Sequence, residues 1–173
     1  QKAILNRRMA LLSYPHPNMS TSRPMKIFVD GAYIPREEVQ VDPFSQTLHY
    51  GNGIFDGIRA YQTEEGPRMF KAEAHFARFA EAARVMGLPL EYSVEELVEI
   101  ANEVLRINKL GDAYVRPLLV AGTNMTLTST PKANLYISAW KWGKLLGDNL
   151  VHLMVSSHRR PSSSMVPVES KIS

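Results

Sequence analysis

The sequence predicts an α+β fold in which an antiparallel-rich sheet packs against two helices. Three features of the chain indicate this class. The dipeptide Asp30-Gly31 joins two short apolar segments and is typical of a tight hairpin. Two stretches with helical periodicity follow one another, over residues 72–86 and after Ser93. Two long segments of strand-like composition, 113–121 and 133–140, complete the pattern.

Composition bounds the size and the class of the protein. A chain of 173 residues can form one ordinary domain, or one small domain and part of a second. Hydrophobic residues make up 45% and charged residues 21%, which is typical of a soluble globular protein. A net charge of +3, spread along the chain, does not favour binding to nucleic acid, and no apolar run is long enough for a membrane span.

The absence of cysteine excludes disulfides and thiolate metal sites, and no metal site is expected. It also fits a reducing compartment, so we expect a cytoplasmic protein. Residues 1–24 contain no acidic residue and could form a basic mitochondrial targeting segment. The prolines that follow Tyr14 break any amphipathic helix there, which favours an extension outside the fold.

The elements are predicted in order from Met25. Residues 25–29 and 32–35 form the hairpin, and residues 68–70 form a strand after the turn at Glu65-Gly66-Pro67. Residues 72–86 form a helix whose apolar stripe has spacings of three and four, and they end at Gly87-Leu88-Pro89. The stripe consists of Phe76, Phe79, Ala83 and Met86.

A capping box opens the second helix, because Ser93 is followed three residues later by Glu96. We expect residues 25–141 to form one small domain. Residues 142–149 would then be a crossing segment, and residues 150–173 would open a second, larger domain with a strand over 150–156. One strand and a loop cannot bury their own faces, so that second domain is incomplete in this chain.

The stretch from Leu48 to Tyr61 is the most unusual part of the sequence. It carries Gly51, Gly53 and Gly57, and from Ile54 onward apolar and other residues alternate with the period of a strand. Ile54, Asp56, Ile58 and Ala60 would share one face, whereas Phe55, Arg59 and Tyr61 would project from the other beside a bare gap at Gly57. Such a surface can line a pocket, or it can be an ordinary glycine-rich turn entering a buried strand. The spacing alone does not decide between them.

Four residues on regular elements, and one near the end of the chain, could also carry chemistry. His75 and Arg78 lie one turn apart on the first helix, where such residues are usually solvated or packed. Tyr114 and Arg116 lie on one face of a strand, so that Arg116 is either a pocket residue or an arginine at the sheet edge. Lys171, near the end of the chain, is by itself most simply a solvated residue.

The run from His49 to Tyr61, HYGNGIFDGIRAY, resembles the signature of branched-chain amino-acid aminotransferases, in which Glu is commoner at the position of Asp56. These are class IV, pyridoxal 5'-phosphate (PLP)-dependent enzymes of fold type IV. The resemblance covers residues 25–173 and corresponds to about the first half of a family member. It implies that the chain is the N-terminal portion only: the small domain and the start of the larger one.

The resemblance also implies the roles of individual residues. Arg78 would hold the cofactor phosphate, and Lys171 would form the Schiff base with PLP and transfer the proton between substrate and cofactor. Leu145 stands where relatives often have a tyrosine, which leaves the substrate preference open. The substrate would lie against side chains from several parts of the chain, which are Tyr50, Phe55, Gly57, Tyr114, Arg116, Met125, Leu127 and Trp142.

The implied activity is transfer of the amino group between leucine, isoleucine or valine and 2-oxoglutarate, by a homodimer. The partner of the ring nitrogen would lie beyond Ser173, so the chain alone is expected to be inactive. A D-amino-acid transaminase or aminodeoxychorismate lyase is an alternative, disfavoured by His49-Tyr50-Gly51 and by Tyr114-x-Arg116-Pro117. A non-catalytic small-domain module is the other alternative.

Overall fold

The computed structural model describes residues 25–123, 132–143, 153–159, 161–162 and 164–165. The N-terminal extension predicted for residues 1–24 lies outside these ranges, as do most of the crossing segment and three predicted site residues. Those three are Met125, Leu127 and Lys171. None of the helices in the described part of the chain is long and apolar enough to cross a membrane.

The described strands form one sheet in which every pairing is antiparallel. This confirms the predicted α+β class with an antiparallel sheet. The strands are β1 (Lys26–Val29), β2 (Ala32–Pro35), β3 (Gly53–Phe55), β4 (Ile58–Thr63), β5 (Gly66–Met69), β6 (Ala113–Ala121) and β7 (Ala133–Lys141). Their order in the sheet is β2-β1-β7-β6-β4-β5, and β3 pairs with β6 beside β4.

Two long helices, α2 (Ala72–Val85) and α3 (Val94–Ile107), match the predicted ones closely. The capping box of α3 is confirmed: the Glu96 N–H donates to Ser93 Oγ at 3.2 Å, and the Ser93 N–H donates to Glu96 Oε2 at 2.7 Å. Both helices bury an apolar face against the sheet, and in α2 this face includes Phe76, Phe79 and Ala83 of the predicted stripe, whereas Met86 is only partly buried. The fully buried residues that fill this interface include Phe76, Phe79, Leu97, Leu105, Val115 and Ile137.

A short helix, α1 (Gln46–Tyr50), and a 3-10 turn over Arg36–Glu38 were not predicted. Ser45 caps α1, because its side chain accepts the Thr47 N–H, and Gly51 ends the helix in the left-handed region with a φ of 67°. Ser45 Oγ also donates to the Ala121 carbonyl at 2.6 Å, which attaches α1 to the end of β6. The first glycine of the central stretch is therefore a helix end.

The strand predicted from Ile54 onward is interrupted at Asp56 and Gly57. Its register against β6 is the same on both sides of the break, since Phe55 pairs with Leu118 and Ile58 with Val115. Asp56 therefore faces Pro117 and donates its N–H to the Pro117 carbonyl at 3.2 Å. Proline has no N–H to return, so the ladder is broken at this point. The interruption lies in the middle of the sheet, between β3 and β4.

The strand predicted over residues 150–156 is not seen in its described part. Residues 153–156 have no regular secondary structure, and the side chains of Leu153, Met154 and Val155 are 90%, 90% and 98% exposed. A strand needs a neighbour to satisfy its backbone, and none of the described strands pairs with this segment. The division into a small domain, a crossing segment and a second domain stays a prediction.

Candidate functional site

A fully buried carboxylate, Asp56, lies at the break between β3 and β4. Its side chain is 0% exposed and stands between the buried residues Ile54 and Ile58. Arg78 on α2 donates to both of its oxygens, from Nε to Oδ2 at 2.9 Å and from Nη2 to Oδ1 at 2.7 Å. The Gly57 N–H donates to Oδ1 at 2.6 Å. We call Asp56, His75 and Arg78 the carboxylate cluster.

His75 supports the same pair from the adjacent turn of α2. Its Nδ1 lies 3.1 Å from Asp56 Oδ1 and 3.1 Å from Arg78 Nη2. With a proton, Nδ1 donates to the carboxylate, and without one it accepts from the guanidinium. In either state the imidazole ring contacts the ion pair between Asp56 and Arg78.

Electrostatics of the carboxylate cluster follow from these contacts. Burial alone raises the pKa of Asp56, but the hydrogen bonds from Arg78, Gly57 and His75 outweigh it, so that the pKa lies below the usual value. The hydrogen bond to Asp56 likewise raises the pKa of the Arg78 guanidinium. Both groups are therefore charged at neutral pH.

The Arg78 side chain is 42% exposed, although the carboxylate that holds it is completely buried. A guanidinium has five N–H donors in a fixed plane. Asp56 takes the edge formed by Nε and Nη2, whereas Nη1 makes no hydrogen bond to the described residues. The outer edge of Arg78 is thus available to an anion from outside.

A second group surrounds Arg116 on β6, and we call it the ring cluster. The Arg116 guanidinium carbon lies 4.7 Å from the centre of the Phe55 ring and 5.2 Å from that of Tyr114. Its Nη2 donates to the Tyr114 hydroxyl at 3.1 Å, while its Nε is buried without a hydrogen-bond partner among the described residues. A hydrogen-bond acceptor that could satisfy Nε would have to come from a ligand or from another part of the protein.

Both tryptophans of the chain complete the ring cluster. The Tyr114 ring centre lies 5.3 Å from that of Trp140 and 4.9 Å from that of Trp142, and the two indoles are 5.5 Å apart. Arg59 closes one side by donating from Nη1 to the Gly143 carbonyl at 3.2 Å. Three aromatic rings therefore form one continuous apolar wall beside Arg116.

Gly57 connects the carboxylate cluster to the ring cluster. Its N–H binds the Asp56 carboxylate, and a Cβ at this position would lie 1.8 Å from the Tyr114 hydroxyl. Any side chain here would displace the tyrosine ring. The bare gap predicted at Gly57 is therefore occupied by Tyr114.

The structure brings Phe55, Gly57, Tyr114, Arg116 and Trp142 together, and the carboxylate cluster attaches Arg78 to the same break in the sheet. Tyr50 lies at the end of α1, half-exposed, and its ring contact among the described residues is with His49, at 6.2 Å. Sequence reasoning named His75 as a candidate without giving it a role, and it missed the contributions of Asp56 and Trp140. An acid on a face shared with Ile54, Ile58 and Ala60 was itself a signal, because a buried carboxylate requires a partner.

Comparison with known proteins identifies the family. Residues 53–171 match the family model described as amino-transferase class IV. The chain is 33% identical over 160 residues to the branched-chain-amino-acid aminotransferase of Salmonella typhimurium, covering 88% of this chain and 52% of that protein. It is 32% identical to the Escherichia coli K12 enzyme, with the same shares covered. The chain thus spans about half the length of the curated relatives it matches.

Solved structures of similar fold agree with this result. A crystal structure of the branched-chain aminotransferase from Thermoproteus uzoniensis with norvaline has a TM-score of 0.80 and 35% identity, covering 87% of this chain and 52% of that one. A second branched-chain amino acid aminotransferase, crystallised with pyridoxamine 5'-phosphate, has a TM-score of 0.77 and 35% identity, with the same shares covered. The Escherichia coli enzyme has a TM-score of 0.78 and 30% identity, again with these shares. These matches confirm the predicted resemblance and fold type.

The contact between Gly57 and Tyr114 predicts that Gly57→Ala disturbs the ring cluster. The added methyl group must push the tyrosine away, and overpacking of this kind costs about 1–3 kcal/mol. We expect a lower free energy of unfolding in urea and a changed near-ultraviolet circular dichroism spectrum. Gly143→Ala is the control, since a Cβ there meets no atom of the described residues within 4 Å. Equal effects of the two substitutions would contradict the prediction.

The lowered pKa of Asp56 predicts a stability that depends on pH. A carboxyl whose folded pKa lies below its unfolded value of about 3.9 stabilises the fold above that pH. This contribution disappears as the pH falls through the folded pKa. Asp56→Asn should therefore lower the free energy of unfolding by about 1–3 kcal/mol near pH 7, and by progressively less below about pH 4.

The measurement for Asp56→Asn is urea unfolding at a series of pH values, with Glu99→Gln as a control. That substitution makes the same change of charge at an exposed position of α3. A destabilisation by Asp56→Asn that stays constant down to about pH 3 would show that the ionised carboxylate is not the stabilising group.

Proposed function

The chain belongs to the class IV aminotransferase family, and from this premise we propose that it is the N-terminal part of a PLP-dependent branched-chain amino-acid aminotransferase. The enzyme would transfer the amino group between leucine, isoleucine or valine and 2-oxoglutarate. One observation carries the proposal: Arg78 and Arg116 border the same break in the sheet, and each has an N–H group without a partner among the described residues. The reaction requires two anion sites, one for the cofactor phosphate and one for a substrate carboxylate.

Arg78 fits the phosphate of PLP. The outer edge of its guanidinium is exposed, and an arginine can donate two parallel hydrogen bonds to one phosphate group. When bound, PLP supplies an electron sink that stabilises negative charge at the substrate Cα. The protein must then bind both partners, orient them and move a proton.

Lys171 is proposed as the residue that attaches the cofactor and carries the proton at the substrate Cα. It lies outside the described residues, and its assignment is supported by the family match, which extends to residue 171. A lysine amine suits both tasks, because it is a nucleophile toward aldehydes and, when neutral, a base.

Arg116 is proposed to face the substrate carboxylate. The rings of Phe55 and Tyr114 on either side hold its guanidinium in one orientation, and Nε is left with an unmet donor. A carboxylate at this point would remove the cost of that buried donor.

The ring cluster is proposed to contact the aliphatic side chain of the substrate. Phe55, Tyr114 and Trp142 offer an apolar surface next to the cation, which suits an amino acid with a branched hydrocarbon side chain. Tyr50 would have to approach from the end of α1. In such pockets each methylene group of the substrate is worth about 1–3 kcal/mol, which is enough to favour leucine over alanine.

We also propose the predicted domain division, with residues 25–141 as the small domain and a larger domain opening after residue 149. The active unit would be a homodimer in which the loop from Gly122 to Lys132 reaches over the partner's pocket and offers Met125 and Leu127. The apolar side chains of Phe44 and Leu48 are 62% and 63% exposed, which is compatible with another protein surface packing over this domain.

The homodimer is tested by sedimentation of a full-length enzyme that carries this segment. We expect a single dimeric species at micromolar concentration, because aminotransferase pockets completed by a partner's loop need a stable interface. A monomer that transaminates at full rate would contradict the proposal.

The activity itself is tested through Lys171 in the full-length enzyme. The wild type should transaminate leucine, isoleucine and valine with 2-oxoglutarate, and borohydride followed by mass spectrometry should locate the cofactor on Lys171. Lys171→Ala should abolish both this labelling and turnover, because the attaching amine and the proton carrier are removed together. Lys141→Ala removes a lysine at the exposed end of β7 and is the matched control. Retained labelling and activity in Lys171→Ala would show that another lysine has this role.

A further inference from the structure

We infer that Asp56 is a positioning residue for phosphate recognition: it holds Arg78 in the one orientation in which the remaining guanidinium donors face the cofactor phosphate. The inference rests on the proposed function, specifically on Arg78 as the phosphate ligand. It concerns a residue that never touches the phosphate itself.

The contact between Asp56 and Arg78 has the geometry of a clamp. Two N–H groups of Arg78 meet two oxygens of one carboxylate, at 2.9 and 2.7 Å, so the plane of the guanidinium is fixed as well as its position. A free arginine side chain loses rotamer entropy when it is immobilised. In this protein the Arg78 side chain already loses that entropy when the chain folds, so the loss does not weaken cofactor binding.

The clamp is itself immobile. Asp56 is fully buried, its own N–H binds the Pro117 carbonyl, and its Oδ1 accepts the Gly57 N–H. The Gly57 N–H points away from β6, because the N–H of the preceding residue points toward it, and it therefore binds this carboxylate instead of the neighbouring strand. Arg78 is therefore anchored to the centre of the sheet, through a residue that cannot move without disrupting strand pairing.

Burial also prevents Asp56 from competing with the ligand. Its oxygens are occupied by Arg78, Gly57 and His75, and none is exposed to the solvent from which a phosphate would arrive. The ion pair has no net charge, so phosphate recognition depends on directed N–H groups rather than on excess positive charge. That makes orientation the decisive property of Arg78.

The test compares two ligands that differ only in the phosphate, pyridoxamine 5'-phosphate and pyridoxamine. Neither has an aldehyde, so their binding to the full-length apo-enzyme is independent of Lys171. The quantity measured is phosphate selectivity, the ratio of the two dissociation constants from fluorescence titration. A loss of general stability would weaken both ligands alike and leave this ratio unchanged.

We expect Arg78→Ala to lower phosphate selectivity about tenfold or more, the effect of losing hydrogen bonds to a charged group. Asp56→Asn should lower it by about tenfold as well, because the amide places an N–H₂ group against a guanidinium donor and the clamp cannot form. Glu99→Gln, the same charge change on the exposed face of α3, should leave it unaltered.

A double-mutant cycle separates positioning from a structural role. If Asp56 acts through Arg78, then Asp56→Asn should change selectivity by less than about twofold in the Arg78→Ala background. Should Asp56→Asn fail to fold, Arg78→Lys supplies the test, since an ammonium keeps the charge but cannot bridge the carboxylate and the phosphate in one plane. Wild-type selectivity in Arg78→Lys would overturn the inference.

The two possible failures are distinguishable. If Arg78→Ala leaves phosphate selectivity unchanged, Arg78 is not the phosphate ligand, and that part of the proposed function fails. If Arg78→Ala lowers selectivity but Asp56→Asn does not, the phosphate role stands and the positioning role of Asp56 is overturned. An effect of Asp56→Asn that persists in full without Arg78 would also overturn it.

Discussion

A carboxylate buried in an apolar face is the constraint on which this structure depends. Asp56 occupies a position between Ile54 and Ile58 that would otherwise belong to the core, and an unpaired charge there would cost several kcal/mol. Hydrogen-bond donors from the strand break, the Gly57 N–H, and from α2, on His75 and Arg78, offset this cost. Helix α2 must therefore lie where His75 and Arg78 reach the sheet, which fixes its position independently of its apolar stripe.

Pro117 is the second part of this arrangement, because it lies opposite the residue at which strand pairing with β6 is interrupted. It accepts the Asp56 N–H but has no N–H to return, so strand pairing is interrupted at this residue. One side of Gly57 then binds the carboxylate and the other admits Tyr114. A single interruption thus positions both arginines, Arg78 through Asp56 and Arg116 through the ring of Tyr114.

The two arginines of the candidate site, Arg78 and Arg116, consequently lie on a helix and a strand. Side chains on such elements can be held to within a fraction of an ångström, which catalysis requires and mobile loops rarely provide. The position of the ion pair also explains why it can serve binding. The carboxylate is protected in the core, whereas the guanidinium crosses to the surface and is 42% exposed. A wholly buried pair would contribute to the fold alone.

The sequence by itself determined the fold class and most of its elements. Strand β6 begins and ends at the predicted residues, and α3 begins after the predicted capping box, because periodicity, caps and turn residues act over a few positions along the chain. The family motif from His49 to Tyr61 pointed to Phe55, Gly57, Tyr114, Arg116 and Trp142, which do lie together.

Only the tertiary structure decided the rest, because the remaining contacts join residues far apart in the sequence. The helix α1 depends on its attachment to the end of β6, and the break at Asp56 depends on the register that places Pro117 opposite it. Trp140 enters the ring cluster because β7 pairs it with Tyr114. The alternation of the strand places Asp56 on the buried face. Its partner Arg78 lies 22 residues further along the chain, and the packing of α2 on the sheet is what brings the two together.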